Sequence, residues 1–153
     1  MKKVIVTGGA GFIGSNLVKY LLEKKYFVIN VDKLSYSANP YNLKGLNKNK
    51  NYVFFKVDIN DKKKIIKILK KHKPHGIFNL AAETHVDRSI DNPKNFIYSN
   101  ILGTYNLLEA ILSYSKKIKL VHISTDEVYG DVLVGRSDEE SPYKPSSPYS
   151  SSK

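Results

Sequence analysis

The strongest constraint on this chain is a repeated alternation: short β-branched or aromatic runs interleaved with segments whose apolar residues recur at helical spacing. The first run, Lys3-Val4-Ile5-Val6-Thr7, is broken by Gly8-Gly9-Ala10-Gly11. Phe12, Ile13, Leu17, Val18, Leu21 and Leu22 then follow at helical spacing, and Tyr26 to Val31 forms a second run that closes on Asp32. Strand, glycine turn, amphipathic segment and strand read as a β-α-β unit. The polar stretch to Asn51, with Asn39-Pro40 and Gly45, reads as a loop with a helical turn. Tyr52 to Val57 gives a third strand, and Asn60 or Asp61 caps a helix carrying Ile65, Ile66, Ile68 and Leu69 that stops before Lys73-Pro74. Gly76 to Leu80 is a fourth strand. Pro93 opens a helix whose buried face is expected to hold Phe96, Ile97, Ile101, Leu108 and Ile111, and Leu120 to Ser124 is a fifth strand. Strands alternating with helices predict an α/β fold with a doubly wound parallel sheet.

Composition narrows the function classes. A chain of 153 residues suffices for one soluble domain with a core, and no apolar run approaches the length that crosses a bilayer. Without Cys there are neither disulfides nor thiolate metal sites, and Val4-Ile5-Val6 is too short for a signal-peptide core, so a cytoplasmic protein is expected. His72, His75, His85 and His122 lack paired spacing for a metal, and none is expected. The net charge of +11 would suit a polyanion. Yet Arg88 and Arg136 are the only arginines, and the lysines are spread through the chain, Lys62-Lys63-Lys64 and Lys70-Lys71 included. That pattern is a chain-wide lysine bias rather than a nucleic-acid patch; an anionic small substrate such as a nucleotide would still be attracted.

Gly8, Gly11 and Gly14 form a G-x-x-G-x-x-G loop between the first strand and first helix, where backbone N–H groups can approach a pyrophosphate. Asp32, at the end of the second strand, suits a ribose 2′-hydroxyl and repels a 2′-phosphate, which favours NAD over NADP; Lys33 beside it softens that preference. In such a sheet the ligand lies beyond the carboxyl ends of the strands. That edge carries Asp58-Ile59, Leu80-Ala81-Ala82-Glu83-Thr84 and Ser124-Thr125-Asp126-Glu127, which are expected to converge on one crevice. Ala81-Ala82 fit close passage of a cofactor or ordinary packing, and His85 and Arg88 either hold a substrate phosphate or face water. Asp126-Glu127 taken alone reads equally as a polar turn; as neighbours at a strand end their side chains would meet different environments, so one can donate a proton while the other accepts one. Tyr149 and Lys153 are four apart and would share a helical face, where an ammonium favours the phenolate.

Taken together, the Thr7 to Gly14 loop, Asp32 to Tyr36, Ala81 to Ser89, Asn100 to Thr104, Ser124 to Gly130 and Tyr149 to Lys153 resemble the extended short-chain dehydrogenase/reductase family. They are closest to its nucleotide-sugar dehydratase branch, whose substrate is dTDP-glucose, and Thr125-Asp126-Glu127 is the piece that separates that branch from epimerases. The resemblance implies a Rossmann-like NAD domain. Gly8, Gly11, Phe12, Ile13, Gly14, Asp32, Lys33, Leu34, Ser35, Asp58, Ile59, Leu80, Ala81, Ala82, Glu83, Thr84, Ser99, Tyr149 and Lys153 would line the cofactor. Thr84, Thr125, Asp126 and Glu127 would meet the sugar. It further implies that Tyr149 removes the C4 hydroxyl proton with Thr125 and Lys153 assisting, that Glu127 takes the C5 proton, and that Asp126 protonates the departing C6 hydroxyl.

Members of that family run to roughly twice this length, with a substrate region after the lysine. The chain is therefore expected to be an incomplete N-terminal NAD-binding domain, truncated after the fifth strand and at the start of the Y-x-x-x-K helix, lacking the C-terminal substrate domain and inactive alone. The family also implies a homodimer built on helices that include Asn95 to Leu112. A nucleotide-sugar epimerase, another nucleotide-sugar dehydratase and a non-catalytic NAD-binding module remain open at this point.

Overall fold

The computed structural model describes residues 1–115 and 117–153. In chain order the elements are β1 (Lys3–Thr7), α1 (Phe12–Glu23), β2 (Phe27–Asp32), β3 (Tyr52–Lys56), α2 (Lys62–His72), β4 (Gly76–Asn79), α3 (Val86–Asp91), α4 (Lys94–Phe96), α5 (Gly103–Tyr114), β5 (Lys119–His122) and α6 (Pro148–Ser151). Short 3₁₀ turns lie at Pro40–Leu43, Leu46–Lys48 and Asp126–Tyr129, and a π-helical stretch covers Ile97–Leu102. No helix among the described residues is long and apolar enough to cross a membrane.

The chain divides into two compact units. The first, residues 1–81 and 103–123, contains the whole sheet. Its strand order is β3-β2-β1-β4-β5 and every pairing is parallel, so β3 and β5 are the edges. Alternate residues of β1 face opposite sides. Ile5 pairs with Ile29 and Ile77 in a row that packs with Val31, Ile65, Leu69, Leu107 and Ile111. Val4 and Val6 join Val28, Val18 and Leu21 on the other side. Helices α2 and α5 therefore cover one face and α1 the other, which makes the sheet doubly wound. Asp61 caps α2 by accepting from the Lys64 N–H at 3.0 Å, and Lys73 ends that helix in a left-handed conformation directly before Pro74.

The second unit, residues 82–102 and 124–153, has no strand among its described residues. It consists of α3, α4, the π-helical stretch, the 3₁₀ turn at Asp126–Tyr129 and α6.

Phe12 and Ile13 open α1 and are 82% and 64% exposed, while the buried face of that helix begins with Gly14 and Ser15, whose small size lets it approach the glycine turn. Expectations elsewhere need correction. Ile97, Ile101 and Leu108 are exposed, and the buried positions are Phe96, Ser99, Asn100, Gly103, Leu107, Ala110 and Ile111. The wider i→i+5 turn at Ile97–Leu102 breaks the 3.6-residue period and carries Ser99 and Asn100 inward. Asp126 and Glu127 do not sit at a strand end: β5 stops at His122 and the pair opens a 3₁₀ turn. Helix α6 covers Pro148–Ser151, with Ser152 as its C-cap.

Candidate active site

In the first unit, the glycine loop follows β1 directly. Gly8 adopts φ +68°, and a Cβ there would stand 2.7 Å from the Ala81 nitrogen, so only glycine fits. A Cβ on Gly14 would run into the Gly8 carbonyl, which seats the start of α1 directly on the loop. Gly11 caps α1 without a side chain, so the first-turn N–H groups of the helix receive no side-chain acceptor at the cap. Asp32 is buried and grips both flanking loops: Oδ2 accepts from the Ala10 N–H at 2.9 Å and Oδ1 from the Leu34 N–H at 2.7 Å. Leu34 itself stands in the left-handed region, at φ +59°.

Leu80 and Ala81 form the wall against which Gly8 packs, and the Ala81 N–H donates to Thr7 Oγ1 at 3.2 Å. Thr7 Oγ1 in turn donates to Asn79 Oδ1, while Asn79 Nδ2 stands 2.9 Å from His122 Nδ1. Asp58 Oδ1 accepts from the Asn60 N–H at 2.9 Å, closing the turn before α2, and Ile59 is buried beneath Gly103. Ser35 bonds Ser37 at 3.2 Å through their hydroxyls. Lys33 is half-buried.

In the second unit, Ala82 is half-buried, Glu83 buried and Thr84 exposed. Asn100 holds the Glu83 backbone at both ends, with Oδ1 accepting from its N–H at 2.8 Å and Nδ2 donating to its carbonyl at 3.0 Å. Ser99 is buried next to it. Thr125 caps the 3₁₀ turn: its Oγ1 accepts from the Glu127 N–H at 3.3 Å and lies 3.3 Å from Asp126 Oδ1. Asp126 and Glu127 are exposed.

A cleft of about 720 Å³ gathers Ser124, Thr125 and Asp126 with Val128, Tyr129, Tyr143 and Pro145, and with Ser150, Ser151 and Lys153. Ser124 Oγ donates to the Lys153 carbonyl at 3.2 Å, and burial holds the Lys153 ammonium below the usual lysine range. Thr125, Asp126 and Lys153 are thus brought together. Glu127 and Tyr149 do not line the cleft, although each is the sequence neighbour of a residue that does. Tyr149 is 8% exposed, its ring 6.3 Å from that of Phe96 in an edge-to-face contact.

No anchoring role is expected from sequence of the polar residues of this unit, although Ser89, Asn100 and Ser150 fall within the stretches that carry the resemblance and Ser99 is expected at the cofactor. Asn100 also donates to Ser152 Oγ at 2.8 Å. In sequence it is visible only as part of the Asn100 to Thr104 stretch.

A parallel doubly wound sheet with a glycine turn after β1 and an acid closing β2 defines a Rossmann-like α/β domain. More narrowly, the chain belongs to the GDP-mannose 4,6 dehydratase family, whose model matches residues 5–153. It is 49% identical to the dTDP-glucose 4,6-dehydratase of Haemophilus influenzae, over 100% of this chain and 48% of that protein. The dTDP-glucose 4,6-dehydratase of Bacillus anthracis, solved in complex with NAD, superposes with a TM-score of 0.89 at 44% identity, covering 100% of this chain and 47% of that one. The UDP-Glc/GlcNAc 4-epimerase of Campylobacter jejuni superposes at 0.91 with 29% identity, over 100% of this chain and 46% of that one. The chain spans about half the length of the curated relatives it matches.

Proposed function

We propose that residues 1–153 form the NAD-binding domain of a cytoplasmic dTDP-glucose 4,6-dehydratase that yields dTDP-4-keto-6-deoxyglucose. The observation that carries the reading is the Thr125-capped turn of Asp126 and Glu127, with Asp126 opening on the same cleft as Lys153. An epimerase that only oxidises and reduces C4 has no use for two carboxylates at that turn.

The glycine loop suits a dinucleotide. Gly8 and Gly14 let the loop fold tightly against Leu80, Ala81 and the start of α1, the first turn of α1 has no side-chain cap, and the Asp32 carboxylate closes β2 beside that loop. NAD, when bound, supplies the acceptor and later donor of hydride. The residues of this chain would move the protons: Tyr149 as phenolate takes the one on the C4 hydroxyl, Glu127 as carboxylate takes the one on C5, and Asp126 as carboxylic acid gives one to the oxygen leaving C6. Acid and base on adjacent residues allow a proton and a hydroxyl to leave as one water. Lys153, partly desolvated, supports the phenol, and Thr125 fixes the turn. The Tyr105, Leu108 and Leu112 side chains left exposed on α5 support a homodimer.

The test places residues 1–153 in the Haemophilus influenzae relative in exchange for its matching half, then supplies NAD and dTDP-glucose. Product lighter by one water is expected. Glu127→Gln should lower kcat by roughly 10²- to 10⁴-fold. Inversion at C4 without water loss would assign the domain to an epimerase instead.

A further inference from the structure

The first turn of α6 has an almost complete internal account of its amides. Pro148 has no N–H, the Ser150 N–H donates to Ser147 Oγ at 3.0 Å, and the Ser151 N–H donates to the Ser147 carbonyl at 2.9 Å. The amide left over is that of Tyr149, and its acceptor comes from sixty residues away: Ser89 Oγ, at 3.0 Å.

Ser89 is 0% exposed on α3. Its own hydroxyl proton goes to the Val86 carbonyl at 2.6 Å, which turns the oxygen lone pairs toward Tyr149. The Tyr149 carbonyl is held in the same way, accepting from Ser152 Oγ at 2.7 Å. The tyrosine is therefore gripped at its N–H, its carbonyl and its ring, and the N–H grip has no substitute within α6.

We propose that Ser89 is a positioning residue that fixes the Tyr149 backbone, and through it the phenol, at the start of α6. The kinetic part of this inference rests on the dehydratase reading above; the structural part does not. A serine meets the need because one hydroxyl can donate to its own helix while accepting from Tyr149; alanine does neither. Because α3 directly follows Thr84 and His85, the same bond ties that loop to the tyrosine.

The test has two readouts. In the 153-residue chain, Ser89→Ala should speed amide exchange at Tyr149 by about tenfold or more, with sheet amides unchanged as the folding control and Ser89→Thr restoring protection. In the Haemophilus graft, the same alanine should lower kcat by about 10- to 100-fold with KM unchanged, because misplacement of a reacting group acts on the chemical step. Unchanged Tyr149 exchange overturns the proposal. So does faster exchange with unaltered kcat. A graft that never turns over overturns the dehydratase reading instead, and exchange alone then decides whether Ser89 holds Tyr149.

Discussion

The two units of this chain are held together by different physics. In the first, β1, β2 and β4 bury valine and isoleucine on both faces of the sheet, and α1, α2 and α5 complete two apolar layers. In the second, Phe96 and Tyr149 are the only buried apolar residues among those described, and the buried polar set is Glu83, Ser89, Ser99, Asn100 and Ser150. Hydrogen bonds from serine and asparagine side chains to backbone replace the apolar layer there. Apolar burial tolerates approximate geometry, whereas a hydrogen bond fails within a few tenths of an ångström, so the second unit obtains precision where the first obtains stability.

That contrast can be broken experimentally. The largest effect is expected in the apolar layer: Leu69→Ala, fully buried between α2 and the sheet, should cost about 2–5 kcal/mol in urea unfolding. Next, Asn100→Ala strands both polar groups of the Glu83 backbone and should cost about 1–3 kcal/mol. Hydrogen exchange should localise that loss to residues 82–102 and 124–153. Equal exchange throughout the sheet would show that the polar network supports the whole chain.

A smaller effect concerns His72, whose Nε2 is buried without a hydrogen-bond partner and whose ring lies near those of Phe27 and Phe55. Burial, with Lys71 and Lys3 adding to it, holds its titration below the free-histidine value of about 6.5. The unfolded chain therefore binds the proton more readily. Stability should be full above about pH 6.5 and decline as pH falls toward the folded-state value. His72→Leu should flatten that slope in denaturation midpoints taken across the window. Smallest of all, Lys62→Ala breaks the 3.1 Å pair with the similarly half-exposed Glu109 and should change stability by at most about 1 kcal/mol, less in high salt.

The same difference decides what could be read from sequence. All five strands were located to within a residue or two because each is a short apolar run ended by glycine, proline or a polar residue. The capped α2 was equally plain, since Asp61, Lys73-Pro74 and a 3.6-residue stripe agree. Reading failed where period and burial part company. The π-helical stretch shifts the buried face by a residue, and nothing in Ile97 to Leu102 announces it. Helix α3 is a single polar segment with no stripe, so it was visible only as part of a motif. The candidate acid and base stand out in sequence as adjacent carboxylates, but their 3₁₀ turn depends on a threonine cap, a local bond that apolar patterning does not report.

Asp32 has a consequence for redesign. Its carboxylate is the clip that fastens the glycine loop to the chain after β2, and in the proposed function it would also be the group that chooses between two dinucleotides. Exchanging it for a small or basic residue to admit a 2′-phosphate would release Ala10 and Leu34 at the same stroke. On that proposal cofactor preference and loop order are inherited together at this position, and a change of preference would need a second substitution that re-anchors the loops.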